Sequence, residues 1–296
     1  MHTSRSGKPR VIITTGDPSG IGPEITRKAL ASPKITRLAD FLVIGDTKTS
    51  LKLRKSPDIC GKLSVQYLDR ALGVIAKGEA DCLVTAPINK ANVRAGGLKD
   101  FEGHTEYLAG ETLTKDYAMM FVGKSMKITL VTRHIALQDA PAKLTFDKIY
   151  RAICLTHRCL SGHFHLRDPK IAVAGLNPHA GEGGIFGKEE AAVISPAIRK
   201  ASLTCGKVFG PFSPDAVFID ALHGKYDAVV AMYHDQGLIP FKLLYFKDGV
   251  NMTVGLPFVR TSPDHGTAFD IAGKGIADPS SMIEAIRLAV RLAHHS

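Results

Sequence analysis

The sequence predicts an α/β protein in which helices cover a parallel or mixed β-sheet. Three observations support this class. Short β-rich runs alternate with amphipathic stretches, the most unusual segments directly follow those runs, and 296 residues suffice for two ordinary domains. Such sheets bind ligands beyond the carboxyl ends of their strands, so we expect functional residues in the loops that follow the strands.

Six runs of β-branched and apolar residues are predicted to be strands. They are residues 11–15, 41–44, 82–85, 128–132, 171–174 and 228–232. Helices are predicted where apolar residues recur every three or four positions, at residues 69–76, 146–160, 189–200 and 280–293. Any boundary between two lobes is expected in the loops near residues 105–120 and 250–260.

The composition argues against a nucleic-acid or membrane partner. The formal net charge is +10, but Lys and Arg are spread along the chain, Trp is absent and only 7% of residues are aromatic, so bases would find few stacking surfaces. No run approaches the roughly 18 to 20 apolar residues of a membrane span, and the opening ten residues lack the apolar part of a secretory signal. We therefore expect a cytoplasmic protein. Its positive charge is either solvated surface charge or, in part, a means of attracting a phosphate and a carboxylate.

The five cysteines are odd in number, scattered, and form no Cys-x-x-Cys pair. A disulfide framework or a zinc ribbon would need such pairing. We interpret them as reduced packing residues.

Three histidines, His134, His179 and His234, each follow a predicted strand. Imidazole is the commonest ligand of divalent transition metals, so convergence of the three side chains would create a metal site with an open position for substrate. Each histidine taken singly is more often an ordinary polar residue. Their wide spacing alone does not decide between the two interpretations.

Two glycine-rich segments, 16–22 and 181–184, are either phosphate-binding loops or tight turns. Neither matches a P-loop or a Gly-x-Gly-x-x-Gly dinucleotide fingerprint. Lys242, Asn251 and Arg260 interrupt an apolar stretch and are either ligands of a phosphate or carboxylate, or solvated edge residues. Asp215 is a candidate to orient a histidine, accept a hydroxyl proton or cap a turn.

The chain resembles the 4-hydroxythreonine-4-phosphate dehydrogenase family over nearly its whole length. The resemblance is carried by TGDPSGIGPE (15–24), GHTE (103–106), GLNPHAGEGG (175–184), AMYHDQG (231–237) and GLPFVRTS (255–262). A further segment, HGTAFDIAGKG (265–275), is similar to the adenosine-binding loop of isocitrate and isopropylmalate dehydrogenases. Residues 133–139, RHIALQD, differ from the usual family sequence around the first metal histidine, which leaves the substrate open.

The resemblance implies a fold of two α/β/α lobes around a central cleft, similar to isocitrate and isopropylmalate dehydrogenases. The first lobe would comprise residues 1–110 and 256–296, and the second residues 111–255. It further implies a homodimer with the active site at the subunit interface. There His134, His179 and His234 would bind one divalent metal, Zn, Mg, Mn or Co, with Asp215 beside it.

The resemblance also implies the remaining contacts. His104, Thr105, Lys242, Asn251 and Arg260 would bind a phosphorylated substrate. The cofactor, NAD or NADP, would lie against the 265–275 loop, and its candidate contacts are His265, Gly266, Asp270 and Gly273. If Asp270 faces the ribose, its charge would repel a 2′-phosphate and favour NAD.

The implied reaction is NAD-dependent oxidation of 4-phosphohydroxy-L-threonine at C3. The resulting 3-keto acid would lose CO₂ to give 3-amino-2-oxopropyl phosphate, a step of pyridoxal phosphate biosynthesis. Lys242 is the first candidate for proton transfer and Asp215 the second. The alternatives are a 4-phospho-D-threonate or 4-phospho-D-erythronate dehydrogenase of sugar-acid catabolism, a phosphate acyltransferase-like enzyme, and a non-catalytic binding protein.

Overall fold

The computed structural model describes residues 7–293, and the chain in it divides into two compact units. The first unit takes in the chain as far as Thr114, then Val250–Met252, then the chain from Leu256 onwards. The second unit comprises Lys115–Gly249 and Thr253–Gly255. Residues 1–6 and 294–296 lie outside the described residues. The first of these stretches belongs to the opening segment that was compared above with a secretory signal.

The first unit contains a parallel sheet of order β2-β1-β3-β10, with strands numbered along the chain. These strands are β1 (Arg10–Thr14), β2 (Asp40–Ile44), β3 (Cys82–Thr85) and β10 (Val259–Pro263). Its helices are α1 (Gly22–Leu30), α2 (Pro33–Thr36), α3 (Pro57–Ala76), α4 (Lys90–Ala95), α5 (His104–Glu111) and α11 (Ser280–Ala293), with a 3₁₀ helix at Leu51–Lys55.

The second unit contains a mixed sheet of order β4-β5-β8-β6-β7, in which only the β4–β5 pair is antiparallel. Its strands are β4 (Ala118–Val122), β5 (Lys127–Leu130), β6 (Ile171–Ala174), β7 (Val208–Phe212) and β8 (Ala228–Ala231). Its helices are α6 (Ala140–Lys143), α7 (Phe146–Gly162), α8 (Ser195–Cys205), α9 (Pro214–Leu222) and α10 (His234–Tyr245). Strand β9 (Val250–Val254) has residues in both units.

Alternate residues of one strand place the core of the second unit on two faces of its sheet. Ile171 and Val173 of β6 belong to a cluster with residues of α7 and α8, whereas Ala172 and Ala174 belong to a second cluster with residues of α9 and α10. Successive side chains of a strand point to opposite faces, so a strand covered on both faces is apolar throughout. The second unit is therefore an α/β/α sandwich.

The first unit is assembled around equally buried strands. Ile12 and Ile13 of β1 and Leu83 and Val84 of β3 are fully buried. Helix α11 packs against β3 and β10 through its apolar face, which includes Met282 and Ile286 in the pattern predicted from the sequence. The mixed α/β class is confirmed.

All six predicted strands are present, and four further strands were missed. The missed strands are β4, β7, β9 and β10. Strand β7 contains Gly210-Pro211, which favours a loop in a sequence-based prediction, but β7 is an edge strand, where Pro is tolerated. The helix predicted at 69–76 is the last part of α3, and the one predicted at 189–200 begins as a π-helix, Glu190–Ile194, before α8.

All five cysteines are free, and Cys205 Sγ lies 3.4 Å from Cys154 Sγ between α8 and α7. Within residues 7–293, no helix is both long and apolar enough to cross a membrane.

Candidate active site

Four neighbouring parallel strands of the second unit each lead to one predicted site residue. His134 follows β5, His234 follows β8, His179 follows β6 and Asp215 follows β7. The pairing Leu130 to Ala231 and Ala174 to Phe212 brings the carboxyl ends of these strands to the same edge. Residues far apart in sequence are thus collected at one sheet edge, where α/β proteins bind ligands.

The imidazoles of His134 and His234 lie next to each other, with 5.7 Å between their ring centroids. This closeness follows from the roughly 4.8 Å spacing of neighbouring strands. His234 Nδ1 lies 2.6 Å from Asp235 Oδ1, which leaves Nε2 of the same ring to bind another group. A ring nitrogen paired with a carboxylate is a common arrangement behind a metal-binding histidine.

His179 lies in a loop with unusual backbone geometry. His179, Ala180 and Glu182 adopt φ values of 51°, 51° and 42°, in the left-handed region that residues other than glycine seldom occupy. Asp215 is near enough to His179 for that side chain to affect its charge. The Ser213 hydroxyl donates to Asp215 at 2.5 Å and, as the largest effect, lowers the pKa of that carboxyl, with a smaller contribution from His179.

The donor set of these side chains fits a divalent transition metal. Imidazole nitrogens with a nearby carboxylate suit Zn, Co or Mn. Among the described residues, no three His, Cys, Asp or Glu side chains are grouped closely enough to hold a metal. The chain thus brings two of the predicted imidazoles together and places the third on the adjoining strand end.

Lys242 and His234 lie near opposite ends of helix α10. Lys242 lies two helical turns beyond His234, which corresponds to about 12 Å along the helix axis. Helix α10 begins at His234, so its first turn is at the sheet edge and Lys242 is near the other end.

Gln236 links the segment after β8, which leads to His234, to the segment after β6, which leads to His179. Its Oε1 accepts a hydrogen bond from Met232 N at 2.6 Å, and its Nε2 donates to Gly175 O at 2.7 Å. The side chain is 8% exposed, so both main-chain groups would otherwise be left without a partner in the interior. Sequence reasoning missed this role, although Gln236 stands within the AMYHDQG segment.

The first unit contains four of the five predicted substrate residues, one of which is a buried arginine. Arg260 of β10 is 2% exposed and donates from Nη2 to Thr85 Oγ1 at 2.6 Å, at the end of β3. His104 and Thr105 begin α5, and Thr105 is buried. Lys90, at the start of α4, is close enough to His104 to influence its charge.

Burial and neighbouring positive charges change the proton equilibria here. Burial lowers the pKa of Arg260 to about 10, partly opposed by the carboxylate of Glu106, so the guanidinium stays charged at neutral pH. Burial, together with Arg260 and Lys90, lowers the pKa of His104 well below its ordinary 6.5. The group therefore combines a buried cation with a neutral imidazole.

Two predicted substrate residues carry buried polar atoms that lack a hydrogen-bond partner in the described part of the chain. These atoms are His104 Nε2 and Asn251 Oδ1. Buried polar groups are nearly always satisfied in native proteins, so an unsatisfied one beside a buried cation indicates that a polar ligand completes it. An anionic oxygen fits Arg260 and His104.

The 265–275 segment is fastened to α1 and its neighbours. Ile21 N donates to Thr267 O, and the Glu24 carboxylate accepts from the amides of Gly275 and Ala277 at 3.3 and 3.0 Å. Arg54 donates to Phe269 O at 2.6 Å. All four predicted cofactor contacts, His265, Gly266, Asp270 and Gly273, are exposed on this loop. Gly273 lies against Leu51, since an added Cβ would be 3.0 Å from Leu51 Cδ2.

The glycine-rich segment 16–22 is a tight turn. The amides of Asp17, Ser19, Gly20 and Ile21 donate to Pro87 O, Asp17 Oδ1, Asp17 O and Thr267 O respectively. Since Pro18 has no amide hydrogen, every donor from 17 to 21 is already used, and none remains for a phosphate. Gly16 is required, because a Cβ there would lie 2.2 Å from Pro87 O.

Comparison with known proteins identifies the family of this chain. The family model for "Pyridoxal phosphate biosynthetic protein PdxA" matches residues 23–289. The chain belongs to the PdxA family. It is therefore a dehydrogenase, the activity for which relatives in this family are named.

The relatives carry two different substrate names. The chain is 41% identical to a 4-hydroxythreonine-4-phosphate dehydrogenase of Geobacter metallireducens, covering 97% of this chain and 96% of the relative. It is also 41% identical to the D-threonate 4-phosphate dehydrogenase of Salmonella typhimurium, covering 96% and 98% respectively. The crystal structure of the 4-hydroxythreonine-4-phosphate dehydrogenase of Klebsiella pneumoniae matches with a TM-score of 0.84 at 36% identity, covering 97% of this chain and all (100%) of that one.

The likeness to isocitrate dehydrogenase extends to the fold alone. The enzyme of Methylococcus capsulatus matches with a TM-score of 0.54 at 17% identity, covering 94% of this chain and 83% of that one. The predicted similarity of fold to this group of dehydrogenases is confirmed.

Proposed function

We propose that this PdxA-family enzyme oxidises 4-phosphohydroxy-L-threonine at C3 with NAD, and that the keto acid formed loses CO₂ to give 3-amino-2-oxopropyl phosphate. The observation that carries the proposal is the placement of His134, His234 and His179 at the ends of adjacent parallel strands. The buried cation Arg260 and the unpartnered His104 Nε2 support a phosphorylated substrate. We place the reaction in the cytoplasm, where NAD is plentiful.

His134, His179 and His234 would hold one divalent metal, which supplies a positive charge to stabilise negative charge on the substrate oxygen. The Asp235 carboxylate orients the His234 ring through Nδ1. Asp215, with a lowered pKa, is ionised at neutral pH and is suited to orient His179 rather than to act as a strong base. Lys242 is our first candidate for proton transfer at the C3 hydroxyl, and NAD, when bound, would accept the hydride from C3.

The phosphate would be bound by Arg260, His104 and Thr105, with Asn251 presenting its unpartnered amide oxygen to a donor on the substrate. Decarboxylation follows because the new C3 ketone is β to the carboxylate and accepts the electron pair left by CO₂. For this step the protein needs only to hold the substrate in place by its carboxylate and its phosphate.

NAD is proposed to lie on the 265–275 loop near His265, Gly266, Asp270 and Gly273. The loop is held by hydrogen bonds from Ile21 and to Glu24, so its backbone is positioned before the cofactor arrives. Asp270 is exposed and carries the negative charge that would disfavour a 2′-phosphate. We therefore assign NAD rather than NADP.

We propose a homodimer with the active site at its interface. The support is an exposed apolar face of α10 formed by Ile239, Leu243 and Phe246, of which Leu243 is 81% exposed. Residues at this spacing share one side of a helix, and a second copy of the chain is the occupant that the family resemblance implies. Lys242 adjoins this face, so dimerisation provides a route for it to reach an active site. Light scattering should give a dimer, and Leu243→Glu should give a monomer.

The second candidate is a D-threonate 4-phosphate dehydrogenase, in which a hydroxyl replaces the substrate amine. It is favoured by the equally similar relative of that name and by the unusual residues 133–139. The Arg133 guanidinium carbon lies 4.9 Å from the centroid of the Tyr117 ring. The residue that precedes His134 is thus held by a cation–π contact.

The deciding experiment follows NADH absorbance with metal-reconstituted protein and each phosphorylated substrate in turn, with and without chelator. Turnover of 4-phosphohydroxy-L-threonine that chelator abolishes supports the first proposal. Preference for 4-phospho-D-threonate or 4-phospho-D-erythronate moves the enzyme to sugar-acid catabolism. Absence of NADH with all three substrates would contradict both.

A further inference from the structure

The loop that carries His179 closes around one buried carboxylate, that of Glu190. Glu190 is 5% exposed, and its Oε1 accepts hydrogen bonds from Leu176 N and Asn177 N, both at 2.8 Å. Its Oε2 accepts from Asn177 Nδ2 at 2.9 Å. One carboxylate thus accepts three hydrogen bonds from Leu176 and Asn177, which lie between strand β6 and His179.

Two glycines leave room for this carboxylate. A Cβ added to Gly175 would lie 3.1 Å from Glu190 Oε1, and one added to Gly181 would lie 2.7 Å from Oε2. Gly175 precedes His179 in the chain and Gly181 follows it. The loop therefore approaches Glu190 from both sides of the histidine.

The backbone of this loop needs such an anchor. His179, Ala180 and Glu182 have left-handed φ values, a strained conformation for residues other than glycine that persists only where surrounding contacts enforce it. The main-chain hydrogen bonds inside the loop include Ala180 N to Asn177 O, Ile185 N to Glu182 O and Phe186 N to Gly181 O, at 3.1, 3.3 and 3.2 Å. The shorter, charge-assisted bonds to Glu190 are the stronger restraint.

Glu190 is also the first residue of the π-helix Glu190–Ile194. A π-helical turn is uncommon and often occurs beside a functional site, where the wider turn redirects one side chain. The neighbouring Glu189 offers a contrast in burial, since it is only partly buried. It accepts from Asn177 Nδ2 at 2.9 Å, and hydrogen bonds from its own amide and that of Lys188 also lower its pKa.

We propose that Glu190 is a positioning residue that holds the His179 loop in its binding conformation and thereby sets the affinity for the divalent metal. Both of its oxygens are occupied by donors of Leu176 and Asn177, so it acts through the loop and does not touch the substrate. The identity of the ligand rests on the proposed function, whereas the restraint on the loop does not. An outer partner of a metal ligand typically changes metal affinity by roughly 10- to 100-fold.

The test compares Glu190→Gln with the matched control Glu189→Gln. In Glu190→Gln, Oε1 still accepts the two amides, but the new Nε2 faces the Nδ2 donor of Asn177, and the charge is lost. We expect the dissociation constant for Zn²⁺, measured by competition with a chromogenic chelator, to rise roughly 10- to 100-fold. Glu189→Gln should stay within about twofold, because the position is partly exposed and glutamine retains an acceptor oxygen.

Hydrogen exchange in the metal-free proteins gives a readout that is independent of metal and activity. Segment 176–187 should exchange faster in Glu190→Gln than in wild type or Glu189→Gln, with the rest of the second unit unchanged. Raised Zn²⁺ should restore the turnover of Glu190→Gln, since the defect is in affinity. Asn177→Ala, which removes one donor and leaves the amides, should show the same changes to a smaller extent.

Two results would overturn the proposal. One is an unchanged Zn²⁺ affinity and loop exchange in Glu190→Gln and Asn177→Ala. The other is faster exchange throughout the second unit, which would make Glu190 an ordinary core residue. If wild type binds no Zn²⁺, the proposed metal site and the affinity part of this proposal fail together, while loop exchange still reports on the anchor.

Discussion

The Arg260 guanidinium and the Thr85 hydroxyl are joined by a 2.6 Å hydrogen bond between the neighbouring strands β10 and β3. The bond fixes the direction of a cation that is 2% exposed and whose pKa burial lowers to about 10. Thr85 ends a strand recognised in the sequence, while β10 was not recognised as one.

Arg260→Lys should raise KM for the phosphorylated substrate with a smaller effect on kcat. Lysine retains the positive charge but loses the planar group that binds Thr85 and an anionic oxygen together. Losing a hydrogen bond to a charged group costs about 1.5 to 3 kcal/mol, which corresponds to a KM increase of roughly 10- to 100-fold. Steady-state kinetics measure this. Arg287→Lys, which replaces an exposed arginine paired with Glu284, is the control and should leave KM unchanged.

His104 should make the protein less stable as the pH falls. Its folded pKa is well below the ordinary 6.5, so below about pH 6.5 the unfolded chain binds a proton that the native state refuses. This contribution to the free energy of unfolding is fully present above that pH and is lost as the pH falls towards the folded pKa.

The variant His104→Gln isolates this effect, since glutamine does not titrate. Urea denaturation between about pH 7 and 5 should show a steeper loss of stability in wild type than in the variant. Parallel pH profiles for the two proteins would show that His104 is not held neutral by its surroundings.

His179→Ala should abolish metal-dependent turnover. Loss of a direct ligand should exceed the roughly 100-fold effect typical of outer partners. Metal content after dialysis and NADH formation report the two consequences. His223→Ala, an exposed histidine at the end of α9, is the matched control and should behave like wild type. Unchanged metal content and turnover in His179→Ala would remove it from the site.

Gln236→Leu should lower the free energy of unfolding by about 2 to 6 kcal/mol. The change leaves Met232 N and Gly175 O buried without their partner, and each such group costs about 1 to 3 kcal/mol. Chemical denaturation measures the difference. Gln138→Leu, on an exposed 3₁₀ turn, should change stability by less than about 0.5 kcal/mol. Equal stabilities of the two variants would contradict the bridging role.

Asp270→Ser should improve the use of NADP relative to NAD. Removal of the exposed carboxylate removes repulsion of a 2′-phosphate, while the loop remains fastened through Thr267 and Gly275. The ratio of kcat/KM for the two cofactors measures the change. Asp264→Ser, which removes a carboxylate just before the 265–275 loop, is the control. An unaltered ratio would place Asp270 away from the ribose.

Local patterns were sufficient for much of the fold. Residues such as Ile171–Ala174 are apolar throughout because both faces of their strand are covered, and that pattern is visible in the sequence. Strand β7 was missed because Gly210-Pro211 is tolerated only by virtue of its edge position, which local sequence does not reveal.

The site divides in the same way. The sequence by itself determined which side chains have the right chemistry, His134, His179 and His234, since imidazoles following strands can be read from residue order. Only the tertiary structure decided that β5, β8 and β6 are neighbours. It also decided that the amides of Asp17, Ser19, Gly20 and Ile21 bond within the protein, and that Glu190 accepts hydrogen bonds from Leu176 and Asn177. Strand order and buried hydrogen bonds depend on contacts between residues distant in sequence, and local residue patterns carry no record of them.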